Sequence, residues 1–236
     1  MKDGYIKTNK VLGVLGGMGP AATAEFLRIL TELSPAENDG EHPIVHMISA
    51  VDIPDRSTAI MGKGPDPSFM IEQYLAKLVN NGADILAAPC NTVHYFIDRL
   101  QNPPVQPLVH IVKESLYEAQ RLEPNGAWLF STEGTKKSGL YQEYAKANSY
   151  HFYEPDIEQV SEIQTVINLV KGNRLKESGV LMKRVVETVW EKNDLPIMMA
   201  CTELPLAYMA SGLAKERGVS SLEALAKGCL RHLYKK

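Results

Sequence analysis

Two short runs of almost unbroken apolar residues, Asp84–Ala88 and Leu195–Ala200, each lead to a cysteine and then into helical periodicity. A strand with one face in water alternates apolar and polar residues, whereas a central strand of a parallel sheet, covered on both faces, reads as a continuous apolar run. The rest of the chain keeps the same rhythm. Val11–Leu15 and Ile44–Ser49 read as strands, and the stretches Ala21–Leu33 and Phe69–Val79 read as helices. A further helix is expected from about Thr92 to Leu100. Beyond it, Leu108–Ile111, Ala127–Phe130 and Tyr150–Tyr153 read as strands, with helices over Val112–Leu122, Lys137–Ala147, Ile157–Val170 and Glu177–Lys192. Glu203–Met209 continues from the second cysteine run, and Ser221–Tyr234 is amphipathic, with Leu222, Leu225, Leu230 and Leu233 on one side. Strands alternating with helices predict α/β architecture with parallel sheets.

The segment Gln101–Pro107 holds three prolines, at 103, 104 and 107, which neither a helix interior nor a central strand tolerates. It divides the chain into two halves, each a parallel-type sheet flanked by helices. The first half is expected over 1–104, completed by the C-terminal helix at 215–236, and the second over 105–214.

Composition excludes several partners. A net charge of -3 and the lack of any run of Lys and Arg leave no footprint for nucleic acid or a membrane surface. The apolar runs are too short to span a bilayer, and Met1–Lys10 lacks the apolar core of a secretory signal, so a cytoplasmic location is expected. Three cysteines make no even disulfide framework, and neither they nor the six scattered histidines have zinc-ligand spacing. No metal is expected. The partners expected are a small-molecule substrate and a second copy of the chain in a homodimer.

The two cysteine runs form a weak internal repeat: Ile85-Leu86-Ala87-Ala88-Pro89-Cys90-Asn91-Thr92 and Pro196-Ile197-Met198-Met199-Ala200-Cys201-Thr202-Glu203-Leu204. Ligands in open α/β sheets bind at the carboxyl ends of strands, where a thiol also lies near a helix N-terminus that favours thiolate. A lone strand-end cysteine is more often a small buried hydrophobe. If the two halves face each other, two in matching positions, one per half, put a thiol on each wall of one cleft. That pattern points to inversion of an α-carbon, which needs a proton removed from one face and returned to the other. Cys90 and Cys201 are the candidate acid–base pair; Cys229, inside the final helix, is read as packing. His94, four residues past Cys90, is read as a polar residue on a helix flank, with a Cys–His pair as the alternative.

Several further segments occur in order: Leu15-Gly16-Gly17-Met18-Gly19-Pro20-Ala21-Ala22-Thr23, Ile53-Pro54-Asp55-Arg56, Gly134-Thr135 with Ser138-Gly139, Val170-Lys171-Gly172 and Cys201-Thr202-Glu203-Leu204-Pro205. With Pro89-Cys90-Asn91-Thr92 they make the chain resemble the aspartate/glutamate racemases, and the aspartate racemase branch in particular. The resemblance implies two pseudo-symmetric α/β domains with the site between them, Cys90 and Cys201 as catalytic residues, and no cofactor such as pyridoxal phosphate. It also implies that Asn91, Thr92 and Thr202 hold the α-carboxylate and α-amine, that Met18 lies at the mouth, that Arg56 and Lys171 hold a side-chain carboxylate, and that Thr132 and Glu203 contact substrate. Ser49-Ala50-Val51-Asp52-Ile53 stands where aspartate racemases commonly carry Asn-Pro before x-Ile. Glu203 stands where glutamate racemases carry His, which favours aspartate or broad specificity.

Two other classes fit parts of the chain. Gly17-Met18-Gly19-Pro20-Ala21-Ala22 matches a loose dinucleotide fingerprint between strand and helix, which would suit an NAD-dependent oxidoreductase. That reading leaves both cysteine copies unexplained and lacks an acidic residue closing a second strand. A non-catalytic binding protein on the same scaffold would not need a proton carrier on each wall.

Overall fold

Glycine decides how the first long strand hands over to the first helix. In the computed structural model, which describes residues 4–236, strand β1 (Ile6–Lys7) precedes β2 (Val11–Gly16), buried from Leu12 onward. Gly17 follows at φ 91°, and a Cβ there would lie 2.5 Å from the Ala50 backbone nitrogen. No other residue fits that turn. Thr23 Oγ1 accepts from the Gly17 N–H at 2.9 Å and donates to the Gly19 carbonyl at 2.9 Å, tying the loop to helix α1 (Pro20–Leu33).

The chain continues through β3 (Ile44–Ser49), α2 (Arg56–Ile60), α3 (Ser68–Asn80), β4 (Ile85–Ala87), α4 (His94–Ile97), β5 (Leu108–Val109) and α5 (Ile111–Leu122). The four strands form one parallel sheet in the order β3-β2-β4-β5, with Leu12 opposite both Val45 and Ile85. Next come β6 (Ala127–Ser131), α6 (Glu133–Ser138), α7 (Leu140–Ala147), β7 (Phe152–Tyr153), α8 (Ile157–Lys171), α9 (Leu175–Lys192), β8 (Ile197–Ala200), α10 (Leu204–Ala210) and β9 (Gly218–Ser220). These strands make a second parallel sheet in the order β7-β6-β8-β9. Helix α11 (Ser221–Leu233) and β10 (Tyr234–Lys235) close the fold, β10 pairing antiparallel with β1.

The two sheets repeat one topology, which is the α/β, two-sheet class expected. In each, the third strand in spatial order, β4 or β8, leads to a cysteine. We refer to the two sheets with their helices as the first and second lobes. Each has an outer apolar core, around Leu15, Ile71, Leu75 and Leu86 in the first and Phe130, Ile163, Val186 and Ile197 in the second. A third core joins them, combining Leu12 and Ile85 with Leu129 and Met198 under α1, α5 and α11.

Several local expectations shift. The helix expected over 92–100 is only α4, because Asn91–Val93 are held in a turn whose carbonyls accept from His94, Tyr95 and Phe96. The helix expected over 137–147 is split by Gly139, which adopts the left-handed conformation at φ 68°. The strand expected over 150–153 shortens to β7. Strand β5 pairs with the first sheet and β9 with the second, so the sheets do not follow the expected dividing lines at 104/105 and 214/215. Nor does α11 complete the first half alone: it packs on α1 and α5 and touches strands of both sheets. Among the described residues no helix is long and apolar enough to cross a membrane.

Candidate active site

The carboxyl ends of β4 and β8 bring the two cysteine turns to a cavity between the lobes. Cys90 and Cys201 are 6% and 5% exposed, and Cys229 is fully buried; all three are free thiols. The ten residues singled out from the sequence all line this cavity: the two cysteines, Met18 and Arg56 from the first lobe's loops, Asn91 and Thr92 after Cys90, Thr132 and Lys171 from the second lobe, and Thr202 and Glu203 after Cys201. Asp55 and Ser57 line it too, and sequence reasoning did not select them as site residues. Asp55 caps α2 by accepting from the Thr58 N–H at 2.8 Å, a role signalled by an aspartate just before a short helical run.

Around Cys201 the geometry is acidic. Its thiol donates to Glu203 Oε2 at 3.1 Å, and Thr202 Oγ1 donates to the same oxygen at 3.2 Å. Burial, and next the Glu203 carboxylate, push the Cys201 thiol well above its ordinary range, against smaller pulls from the Glu203 backbone N–H and from Lys171. In this geometry Cys201 is a proton donor.

At Cys90 the hydrogen bonds hold the backbone: its N–H donates to the Ala88 carbonyl at 2.8 Å. The Cys90 carbonyl is 2.9 Å from His94 Nδ1. The Ile111 N–H donates to His94 Nε2 at 3.4 Å, so the ring's proton sits on Nδ1 and is donated to that carbonyl. Burial, then His110, push His94 down to about 3, which keeps the ring neutral. His94 is fully buried, so it is neither a polar residue on a helix flank nor a partner of the thiol; it holds the turn that carries Cys90.

The remaining polar groups stitch the cavity walls together. Asn91 Oδ1 accepts from the Tyr141 hydroxyl at 2.6 Å, and its amide donates to Ser221 Oγ at 2.9 Å. Thr92 Oγ1 lies 2.8 Å from Thr135 Oγ1 and 3.3 Å from Thr132 Oγ1, across the two lobes. Arg56 spends three of its five N–H donors on the carbonyls of Ile53, Pro54 and Met18, at 3.2, 3.1 and 3.4 Å. Its Nε is buried without a hydrogen-bond partner. Lys171, the last residue of α8, is exposed and makes no ion pair among the described residues.

The cavity is tight: the centre of a water molecule can move over only about 20 Å³, space for about one or two waters. The lobes meet beside it where α2 packs on α6: Ser57 Oγ is 3.4 Å from Thr132 Oγ1, and Gly134 lies directly against Ser57. Among the described residues no cluster of three His, Cys, Asp or Glu side chains is arranged to hold a metal.

Comparison with known proteins agrees with this architecture. The chain is 28% identical over 198 residues to the broad specificity amino-acid racemase RacX of Bacillus subtilis (strain 168), covering 82% of this chain and 86% of that protein. The aspartate racemase of Picrophilus torridus superposes with a TM-score of 0.81 at 24% identity, covering 95% of this chain and 94% of that one. An aspartate racemase homologue from Pyrococcus horikoshii OT3 superposes at 0.73 with 19% identity, covering 96% and 99%. The glutamate racemase of Campylobacter jejuni superposes at 0.63 with 17% identity, covering 92% and 83%. Residues 15–228 match the family described as Asp/Glu/Hydantoin racemase, and the chain belongs to that family of racemases.

Proposed function

We propose that the protein racemises an acidic amino acid, aspartate foremost, by a two-base mechanism in which Cys90 and Cys201 act on opposite faces of the α-carbon, with no added cofactor. The observation that carries this reading is that the two thiols follow equivalent strands of two like sheets and line the same cavity. One thiol, as thiolate, takes the α-proton. The other, still protonated, delivers its own proton to the opposite face, so the configuration inverts with no group having to swing across the site.

The substrate's charged groups fit the rest of the lining. Thr92 and Thr202, on the turns just past the cysteines, are placed to hold the α-carboxylate and α-amine. Asn91 keeps the Cys90 turn in register, since both ends of its amide are already bonded within the protein. Arg56, through its unpartnered Nε, and Lys171 supply positive charge for the distal carboxylate.

Broader specificity has its own support. Most of the Arg56 donors are committed to backbone carbonyls, and Lys171 is exposed to solvent. The pull on a distal carboxylate is therefore modest, and glutamate or neutral amino acids are secondary substrates on this reading. A dinucleotide is disfavoured. The Gly17 N–H is already bound to Thr23, and a Cβ on Gly19 would come within 3.0 Å of Glu203 Oε1, so a phosphate before this loop would meet a carboxylate.

The decisive test is incubation of the purified protein with L-aspartate in deuterated water, without added cofactor, followed by chiral separation and mass measurement. The expected product is D-aspartate with one deuterium at the α-carbon, approaching an equal mixture. No exchange on aspartate, glutamate or a panel of neutral amino acids would overturn the reading.

A further inference from the structure

The two cysteine turns stand on equivalent strands but do not have equivalent neighbours. Two residues past Cys90 is Thr92, whose hydroxyl is shared with Thr132 and Thr135. Two residues past Cys201 is Glu203, a carboxylate only 4% exposed and 3.1 Å from the Cys201 sulfur. The sequence resemblance casts Glu203 as a substrate contact, yet one of its oxygens already accepts from both the Cys201 thiol and the Thr202 hydroxyl.

We propose, resting on the two-cysteine reading above, that Glu203 is a positioning residue that keeps the proton on Cys201 in the free enzyme, so that the resting pair is Cys90 as base and Cys201 as acid. The groups that face Cys201 are Glu203 from its own turn, Lys171 from the end of α8 and Tyr141 from α7, with Asp55 and Arg56 lining the same cavity from the first lobe. Lys171 opposes Glu203, but it is exposed and screened by water, whereas Glu203 and the thiol are buried together. Tyr141 is neutral and already donates to Asn91. Burial raises the thiol most, and among the charged groups facing it Glu203 outweighs Lys171.

Turnover from this state is balanced. The Cys90 thiolate takes the α-proton and the Cys201 thiol gives its proton to the opposite face. The pair is left as Cys90 thiol and Cys201 thiolate, the latter beside the Glu203 carboxylate. Repulsion between these two anions drives the reset: Cys90 loses a proton to solvent and Cys201 regains one. One enantiomer thus meets the resting form and its mirror image meets the short-lived form. Because a racemisation has an equilibrium constant of one, kcat/KM is equal in both directions, and the asymmetry is read in the thiols and in the split between kcat and KM.

The test is alkylation of the whole protein by iodoacetamide across a pH series, with the modification of each cysteine followed by peptide mass. Cys229, sealed in α11, reports any unfolding. In the parent, Cys90 is expected to react at lower pH than Cys201. In Glu203→Gln the Cys201 profile is expected to move down by about one pH unit or more, roughly a tenfold gain in thiolate at fixed pH. The alkaline limb of kcat/KM for aspartate is expected to move the same way, which a merely structural role would not produce. Cys201 reacting at or before Cys90 in the parent, or an unchanged Cys201 profile in Glu203→Gln, overturns the proposal. If Glu203→Gln does not fold, Glu203→Asp and the order of reaction in the parent still decide it. Failure of the racemase reading is seen separately, as absent deuterium incorporation by the parent enzyme, whichever thiol reacts first.

Discussion

Gly134 is where the fit between the two lobes can be measured. It lies in α6 against Ser57 of α2, and a Cβ built on it would sit 2.5 Å from Ser57 Oγ and 2.6 Å from Ser57 Cα and Cβ. Ordinary carbon contacts need about 3.5–4.0 Å, so Gly134→Ala forces the seam apart by about 1 Å. Neither side can absorb this by rotating a side chain, because one of the atoms met is backbone. Helix propensity favours alanine over glycine by about 1 kcal/mol, so α6 itself does not suffer and the strain falls on the junction between lobes. A misplacement of about 1 Å in a site that depends on opposed groups costs roughly a hundredfold in rate. The expected outcome is a fall of about that size in kcat/KM for aspartate, with a melting temperature within a few degrees of the parent, measured by chiral analysis and calorimetry. Combining Ser57→Gly with Gly134→Ala removes two of the three close contacts and should recover part of the activity. A Gly134→Ala enzyme with the parent's kcat and KM would refute the idea that the spacing of this seam matters for catalysis.

Cys90→Ser and Cys201→Ser should each abolish net racemisation, and any residual α-deuterium wash-in should favour opposite enantiomers in the two variants; the same enantiomer in both would undo the opposed-pair assignment. Cys229→Ser should racemise like the parent while losing about 1–3 kcal/mol in chemical denaturation, the cost of placing a hydroxyl in its sealed apolar site. Lys171→Met should slow aspartate roughly tenfold and leave alanine unchanged, so an equal effect on both substrates would show that Lys171 does not read the distal carboxylate. His94 is neutral when folded, being pushed down to about 3, but binds a proton below about 6.5 when unfolded. The unfolded state then holds more protons, so stability is full above about 6.5 and declines as pH falls toward 3. A melting series over that window should be flatter in His94→Asn, which keeps a donor for the Cys90 carbonyl.

The cysteine pair was legible because its signal is local: an apolar run, a thiol and a helix start, written twice. The order of strands and helices was legible for the same reason, since each element's period lies within a few residues of chain. What escaped depends on contacts between distant segments. The partner of Glu203 could not be read from its place beside Thr202, because the choice between facing substrate and facing Cys201 is made by how the turn packs. His94 looks like any histidine near a helix start until α5 brings the Ile111 N–H to its ring. Ser57 enters the cavity only because Gly134, from the other lobe, lets the two backbones meet. The break at Gly139 was visible as a glycine but not as a left-handed one, a conformation set by the need to turn α7 against α5.

The pairing of Ile6 with Lys235 and Lys7 with Tyr234 has a temporal consequence. Residues near one end of the described chain wait for residues near the other, and the shared core waits with them, because Leu222, Leu225 and Leu233 fill it from α11. While the chain is being synthesised, the first sheet is complete by Val109, yet the side facing the second lobe is covered only in part, by α1 and α5, until residues 221–235 have emerged. The nascent protein therefore passes through a long interval with the part of this apolar core that α11 will fill still open to water, a state prone to aggregate.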